Sequence, residues 1–258
     1  TWRRSEGGRP GRVGRAMVAV VSTSHDLSRL AGELVVVTGA SRGIGRATAE
    51  LLTRAGLAVL PVARDPRGLD PSPGALPPVA ADLGTDQGIA RVVEAVASRP
   101  LAGLVHAAGV CRLGRVEQTS AEDLDLQWQV NLRAPFLLTR ALIPELRQRR
   151  GQVVFVNSGA GQSAKAGWSA YAVSKFGLRA LADALRAELA PDGVRVTSVY
   201  PGRTATDMQA EVRRTEGQPY DPSIYVQPED VARAIGHALA MAAPAVVEEI
   251  SVRPLPAG

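Results

Sequence analysis

Short apolar runs alternate with longer amphipathic stretches from Glu33 to Pro254, and this alternation leaves few folds open. The runs "LVVVTG" (34–39), "LAVLPVA" (57–63), "PVAAD" (78–82) and "LAGLVHAAG" (101–109) are too short for helices and read as buried strands. "QVVFVNS" (152–158), "VRVTSVYPG" (194–202) and "VVEEISVRP" (246–254) bring the series to seven. Helical patterns run between them over 44–56, 85–98, 119–148, 169–190 and 228–242, with interruptions expected at Pro135 and Pro144. Thr85 is placed to cap the second helix and Gly56 to close the first. Residues 65–78 read as a Pro/Gly-rich loop without a clear helix, and 203–227 as an irregular segment. Strands separated by helices imply parallel neighbours joined by crossovers. The expected fold is therefore α/β: one Rossmann-like domain over residues 30–258, a doubly wound sheet of seven mostly parallel strands with helices on both faces.

Charge is distributed unevenly around that domain. Six arginines against Glu6 and Asp26 within residues 1–30 supply most of the net charge of +5, so the body is close to neutral. Residues 1–29 are rich in Gly and Arg without an apolar period and read as a disordered basic arm. The stretch ahead of Met17 is expected to come from expression or an upstream start, and removing it should leave folding intact. Nucleic-acid binding through the arm is disfavoured. Aromatics make up only 4% of the chain, so the core must be built from Ala, Val and Leu. The single cysteine, Cys111, fits a reducing, cytoplasmic compartment. No run approaches the roughly 18 apolar residues of a membrane span, so no membrane contact is expected.

Two motifs carry chemistry. "TGASRGIG" (38–45) joins the first strand to the first helix. Its glycines, Gly39, Gly43 and Gly45, permit a tight turn, backbone approach to a pyrophosphate and close helix packing, with the helix N-terminus facing the phosphates. The spacing is G-x-x-x-G-x-G and does not match the general dinucleotide fingerprint. On the helix after 168, Tyr171 and Lys175 are four apart and share a face. An ammonium there is expected to favour the phenolate and lower the tyrosine pKa. The chain has two lysines and four tyrosines, so this spacing is rare by chance. Ser158 ends the fifth strand, where ligands bind in such sheets.

Taken together and in order, these motifs resemble the short-chain dehydrogenase/reductase family over residues 32–254. The turn Thr38–Gly45, the strand-end Asp82, "HAAG" (106–109), Asn131, the set Ser158, Tyr171 and Lys175, and the turn Pro201–Gly202 followed by Thr206 all stand at the family's spacings. His106 departs from the family's asparagine and is read as structural. The resemblance implies hydride transfer between NADP(H) and a carbonyl/secondary alcohol pair. In that scheme Tyr171 is general acid/base, Lys175 tunes it and holds a ribose, Ser158 steadies the oxyanion and Asn131 holds a relay water. It also carries cofactor contacts onto Gly39, Ser41, Arg42, Gly43, Ile44 and Gly45, and onto Arg64, Asp82, Leu83, Ala108 and Gly109. Tyr171, Lys175, Pro201, Gly202, Thr204 and Thr206 complete that set; no metal ligands are implied. Alternatives are a cofactor-binding regulator or scaffold with little turnover, or, more narrowly, a 3-oxoacyl-carrier-protein reductase.

NADP(H) is expected over NAD(H) because the second strand ends at Ala63 and Arg64, where a carboxylate would otherwise receive the ribose hydroxyls. Asp65 is expected to point away, and Arg42 to approach a 2′-phosphate from the other side. The substrate pocket is expected from 110–113, 159–168 and 203–226, with Trp168, Met208, Tyr220 and Tyr225 as walls. Arg213 and Arg214 read as a solvated pair. The resemblance also implies a homodimer or tetramer through helices 119–148 and 170–189.

Overall fold

The computed structural model describes residues 27–67, 69 and 75–255. Strands β1 (Leu34–Thr38), β2 (Ala58–Ala63), β3 (Val79–Ala80), β4 (Leu101–His106), β5 (Gln152–Val156), β6 (Arg195–Pro201) and β7 (Glu249–Val252) form one sheet in the order β3-β2-β1-β4-β5-β6-β7. Every pairing is parallel. The chain moves outward from β1 to β3, then returns to place β4 on the other side of β1, and this reversal opens a crevice at the strand C-termini.

Among the described residues seven α-helices cover the sheet: α1 (Gly43–Arg54), α2 (Asp86–Val96), α3 (Ala121–Trp128), α4 (Ala134–Arg149), α5 (Ser169–Leu189), α6 (Asp207–Thr215) and α7 (Pro228–Ala240). The period-two alternation of the strands divides the core in two. Leu34 and Val36 of β1, with Leu104 of β4 and Phe155 of β5, face Val92 of α2, Leu142 of α4 and Leu178 of α5. Val35, Val37, Val105 and Val154 face Leu52 of α1 and Ile235 of α7. Such two-sided burial is why these strands read as continuous apolar runs.

Four expectations are corrected. The long segment 119–148 is not broken at its prolines: Pro135 sits in the first turn of α4, where no donor is needed, and Pro144 lies inside the helix. The irregularity is instead a π-helical turn at Gln129–Arg133, between α3 and α4, with Asn131 in it. The segment 203–227 contains a helix, α6, capped by the Thr206 hydroxyl on the Gln209 N–H at 3.2 Å. Finally, the body begins before residue 30. Leu27 is 2% exposed and packs in the core, near the Gly236 backbone and beside Leu51. The rest of the basic arm lies outside the described residues.

Candidate functional site

The glycine turn is built by close backbone contact. A Cβ on Gly39, whose φ is +68°, would lie 2.8 Å from the Ala108 backbone. One on Gly45 would lie 2.3 Å from the Gly39 carbonyl oxygen. The Thr38 hydroxyl ties the crossing together, accepting from the Ala107 and Ala108 N–H groups at 3.1 Å each and donating to the Val105 carbonyl at 3.3 Å. α1 starts here with extended backbone at Arg42 and no side-chain cap. Its first N–H groups are therefore left for a ligand.

The turn forms one end of a cleft of about 1010 Å³. Ser41 and Arg42 line it from the turn and Gly43, Ile44 and Gly45 from α1, with Arg64, Asp82 and Leu83 just beyond the ends of β2 and β3. Ala108, Gly109 and Thr206 close the side toward the sheet centre. Asp65, expected to point away, is also among the residues lining this cleft. Its carboxylate is bound to Arg67 (Nη2–Oδ2 2.6 Å), which holds its pKa down at about 2. Arg42 reaches across to Asp207 of α6 at 3.4 Å. No sequence signal marked Asp207, because α6 is short and mostly polar, with only Met208 and Val212 on its apolar face.

A second cavity, about 380 Å³, opens from the same crevice, sharing Ile44, Ala108 and Thr206 with the cleft. Ser158, Tyr171 and Lys175 line it together, as do Pro201, Gly202 and Thr204 at the end of β6. The Ser158 hydroxyl accepts from the Ala160 N–H at 3.1 Å and lines the cavity beside Tyr171. Lys175 Nζ donates to the Val156 carbonyl at 3.1 Å and lies 5.9 Å from the Tyr171 ring centre. Asn131 does not reach the cavity wall. Its amide donates to the Val110 carbonyl (2.9 Å) and Ser174 Oγ (3.0 Å), while Oδ1 accepts from the Val110 N–H at 2.8 Å. Asn131 thus fixes the chain beyond β4 from behind, with one acceptor site on Oδ1 to spare.

Trp168 and Met208 line the cavity as expected, whereas Tyr220 and Tyr225 stack on each other, centres 5.8 Å apart, away from it. Arg213 and Arg214 pair with Glu216 and Glu211 on their own segment. His106 is structural. It is buried, bonded through Nε2 to Thr139 Oγ1 at 2.8 Å and stacked on Phe155, and burial pushes its pKa down to about 3. Sequence reading missed Arg253, just past β7, which lines the cavity; its position follows from topology alone.

A parallel sheet with a reversal after β3, a glycine turn and a crevice at the strand ends defines a dinucleotide-binding α/β architecture. The family model for short chain dehydrogenases matches residues 33–217. An uncharacterised short-chain type dehydrogenase/reductase of Sinorhizobium fredii is 32% identical over 241 residues, 91% of this chain and 94% of that protein. Among solved structures, an alcohol dehydrogenase of Thermococcus sibiricus complexed with 5-hydroxy-NADP superposes with a TM-score of 0.78 at 25% identity, covering 86% of this chain and 97% of that one. A metagenomic short-chain oxidoreductase in complex with NADP gives 0.73 at 31% identity, covering 88% and 98%. The chain belongs to the short-chain dehydrogenase/reductase family of oxidoreductases.

Burial dominates the electrostatics of the Tyr–Lys pair, and here the sequence expectation is corrected. The Tyr171 phenol is held well above its ordinary value by desolvation, then by the negative charge Cys111 would carry once ionised at such high pH, with only the Ser158 hydroxyl lowering it. Lys175 does not offset this, because its own charge is destabilised: burial brings its pKa down to about 8. Cys111, pushed up to about 12 by burial, stays a thiol. For a lysine depressed in the folded state, the unfolded chain binds more protons between about pH 8 and the ordinary lysine value, so stability rises with pH across that window. Replacing Lys175 with Met should therefore stabilise the ligand-free protein at neutral pH, on the order of 2 kcal/mol. The advantage should fade above pH 8. Melting curves from pH 6 to 10 test this; a lower melting temperature for Lys175→Met at pH 7 contradicts it.

Proposed function

We propose that the protein is an NADP(H)-dependent oxidoreductase interconverting a carbonyl and a secondary alcohol, with Tyr171 as general acid/base. The observation that carries this is the convergence of Ser158, Tyr171 and Lys175 on one cavity that opens into the glycine-turn cleft. The cleft fits a dinucleotide diphosphate: uncapped N–H groups of α1 face it, and Gly39 keeps the neighbouring backbone bare. When bound, the nicotinamide ring supplies or accepts the hydride. The chain's own residues handle the proton. At neutral pH Tyr171 carries its phenolic proton and can give it to the carbonyl oxygen of a substrate. The Ser158 hydroxyl can donate a hydrogen bond to the same oxygen. Lys175, still mostly protonated at pH 7, lies beside the phenol to stabilise the phenolate left behind.

The preference for the 2′-phosphorylated cofactor rests on Arg64 and Arg42 at the adenosine end, with Asp65 neutralised by Arg67. Two solved relatives bound to NADP or its hydroxy derivative support the same reading. We also propose a homodimer or tetramer. Leu124 and Trp128 of α3, Phe136 of α4, and Val173 and Phe176 of α5 leave large apolar side chains in water on adjoining helices.

Three outcomes are expected. Tyr171→Phe should reduce turnover by about a hundredfold to ten-thousandfold, while titration shows NADPH affinity within about twofold of wild type; retained activity would remove Tyr171 from its role. Arg64→Asp should weaken NADPH binding by about 2 kcal/mol, with NADH little changed, and equal wild-type affinity for the two cofactors would overturn the preference. Phe136→Asp combined with Phe176→Asp should give a single-chain mass by light scattering. A single-chain mass for wild type would rule out the proposed association.

A further inference from the structure

The cavity beside Tyr171 is one-sided in charge. Among the described residues four cations line it, Lys165, Lys175, Arg203 and Arg253, and no carboxylate does. Both lysines of the chain are among them. Two of the four already have partners: Lys175 is bonded to the Val156 carbonyl, and Arg203 is held bidentate by Glu216 at 2.8 and 2.9 Å. Among the described residues, Lys165 and Arg253 have no carboxylate within ion-pairing distance. The Arg253 guanidinium donates to Gln162 Oε1 at 3.0 Å. It also lies against the residue that follows Ser158, since a Cβ on Gly159 would be 2.5 Å from its Nη1.

Gln209, on α6, also lines the cavity, but its Nε2 is sealed inside the wall and adds no donor to the cavity surface. Between the cations the surface is apolar, formed by Trp168, Met208 and Val212.

We propose that the substrate is a small anion, an oxo acid or the hydroxy acid it gives, with its carboxylate on Arg253 and Lys165. This rests on the oxidoreductase reading above. Arg253 touches the residue next to Ser158, so only a few carbons separate the carboxylate from the carbonyl that meets Ser158 and Tyr171. In the reaction a hydride and a proton add across the C=O bond, and the carboxylate passes through unchanged. A guanidinium can bind it through two parallel N–H groups, which a neutral ketone leaves unused.

The test compares levulinate and acetylbutyrate with their methyl esters, using NADPH and the wild-type protein. The acids should be favoured in kcat/KM, and Arg253→Gln should cut the acid-to-ester ratio by about tenfold or more, the scale of one charge-assisted contact. Lys165→Gln, on an exposed loop, should cut it less. Equal turnover of acid and ester, or a ratio unmoved in both variants, overturns the anion site while leaving the oxidoreductase reading intact. Should no carbonyl be reduced, that failure falls on the oxidoreductase reading, and calorimetric titration of butanoate into the NADP-loaded protein decides the anion site alone. Saturable binding that is lost in Arg253→Gln supports it, and no binding refutes it.

Discussion

One hydroxyl holds the two halves of this sheet at the point where the chain reverses direction. Thr38 closes β1, and its Oγ1 takes two N–H groups from the segment leaving β4 while returning a bond to β4 itself. Parallel strands have no hairpin to fix their register, and the Thr38 hydroxyl ties the half-buried N–H groups at the end of β4 to the end of β1. The stitch brings Gly39 onto the Ala108 backbone, too close for any side chain. From there the site follows. α1 starts against the turn with its N–H groups open, and Gly109 and Val110 continue to Asn131. The Asn131 amide then ties that segment to Ser174 of α5, next to Lys175. Four elements distant in sequence are thus fixed by backbone contact and short polar side chains, a rigid frame for residues whose chemistry depends on position.

How legible each part was depended on whether it was coded locally. Strands buried on both faces leave an apolar run, so the seven strands and their order of appearance could be read from residues such as Val35 to Val37. The glycine turn and the Tyr171–Lys175 pair were legible because a tight turn and a shared helix face each lie within eight residues. The π turn at Asn131 was not. Its cause is the long-range bond to Val110, and nearby prolines drew the prediction toward a false break. α6 was missed for a related reason. Thr206 gives it a cap, yet its sequence has little apolar surface, and its placement comes from the cavity it covers. The partner of the Asp65 carboxylate was equally hard to read, because it is Arg67 two residues on, in a loop with no regular period.

Desolvation explains the largest departure. Reading Tyr171 and Lys175 as neighbours on a helix assumes that each feels the other's charge. In the folded chain both are nearly dry, at 7% and 3% exposed, and the cost of holding any charge exceeds their mutual effect. The phenol keeps its proton more firmly and the ammonium less firmly than in water. At pH 7 the phenol is neutral and the ammonium still mostly charged, but close enough to releasing its proton that another charged group entering the cavity changes the balance.

This gives a physical reason for lysine at position 175 in a chain whose cations are otherwise almost all arginine. A guanidinium cannot lose its proton at any pH a folded protein tolerates, so arginine there would hold a full charge in a dry pocket at all times. Lysine can give the proton up. Its pKa near 8 lets it stand partly neutral when the cavity holds no anion and regain full charge beside a phenolate or a bound anion. Its compact head also fits between the Val156 carbonyl and the phenol, where a planar fork would need more donors satisfied than the site offers. Arginine serves at the rim instead, as at Arg253, where water carries part of the solvation and a constant charge costs little.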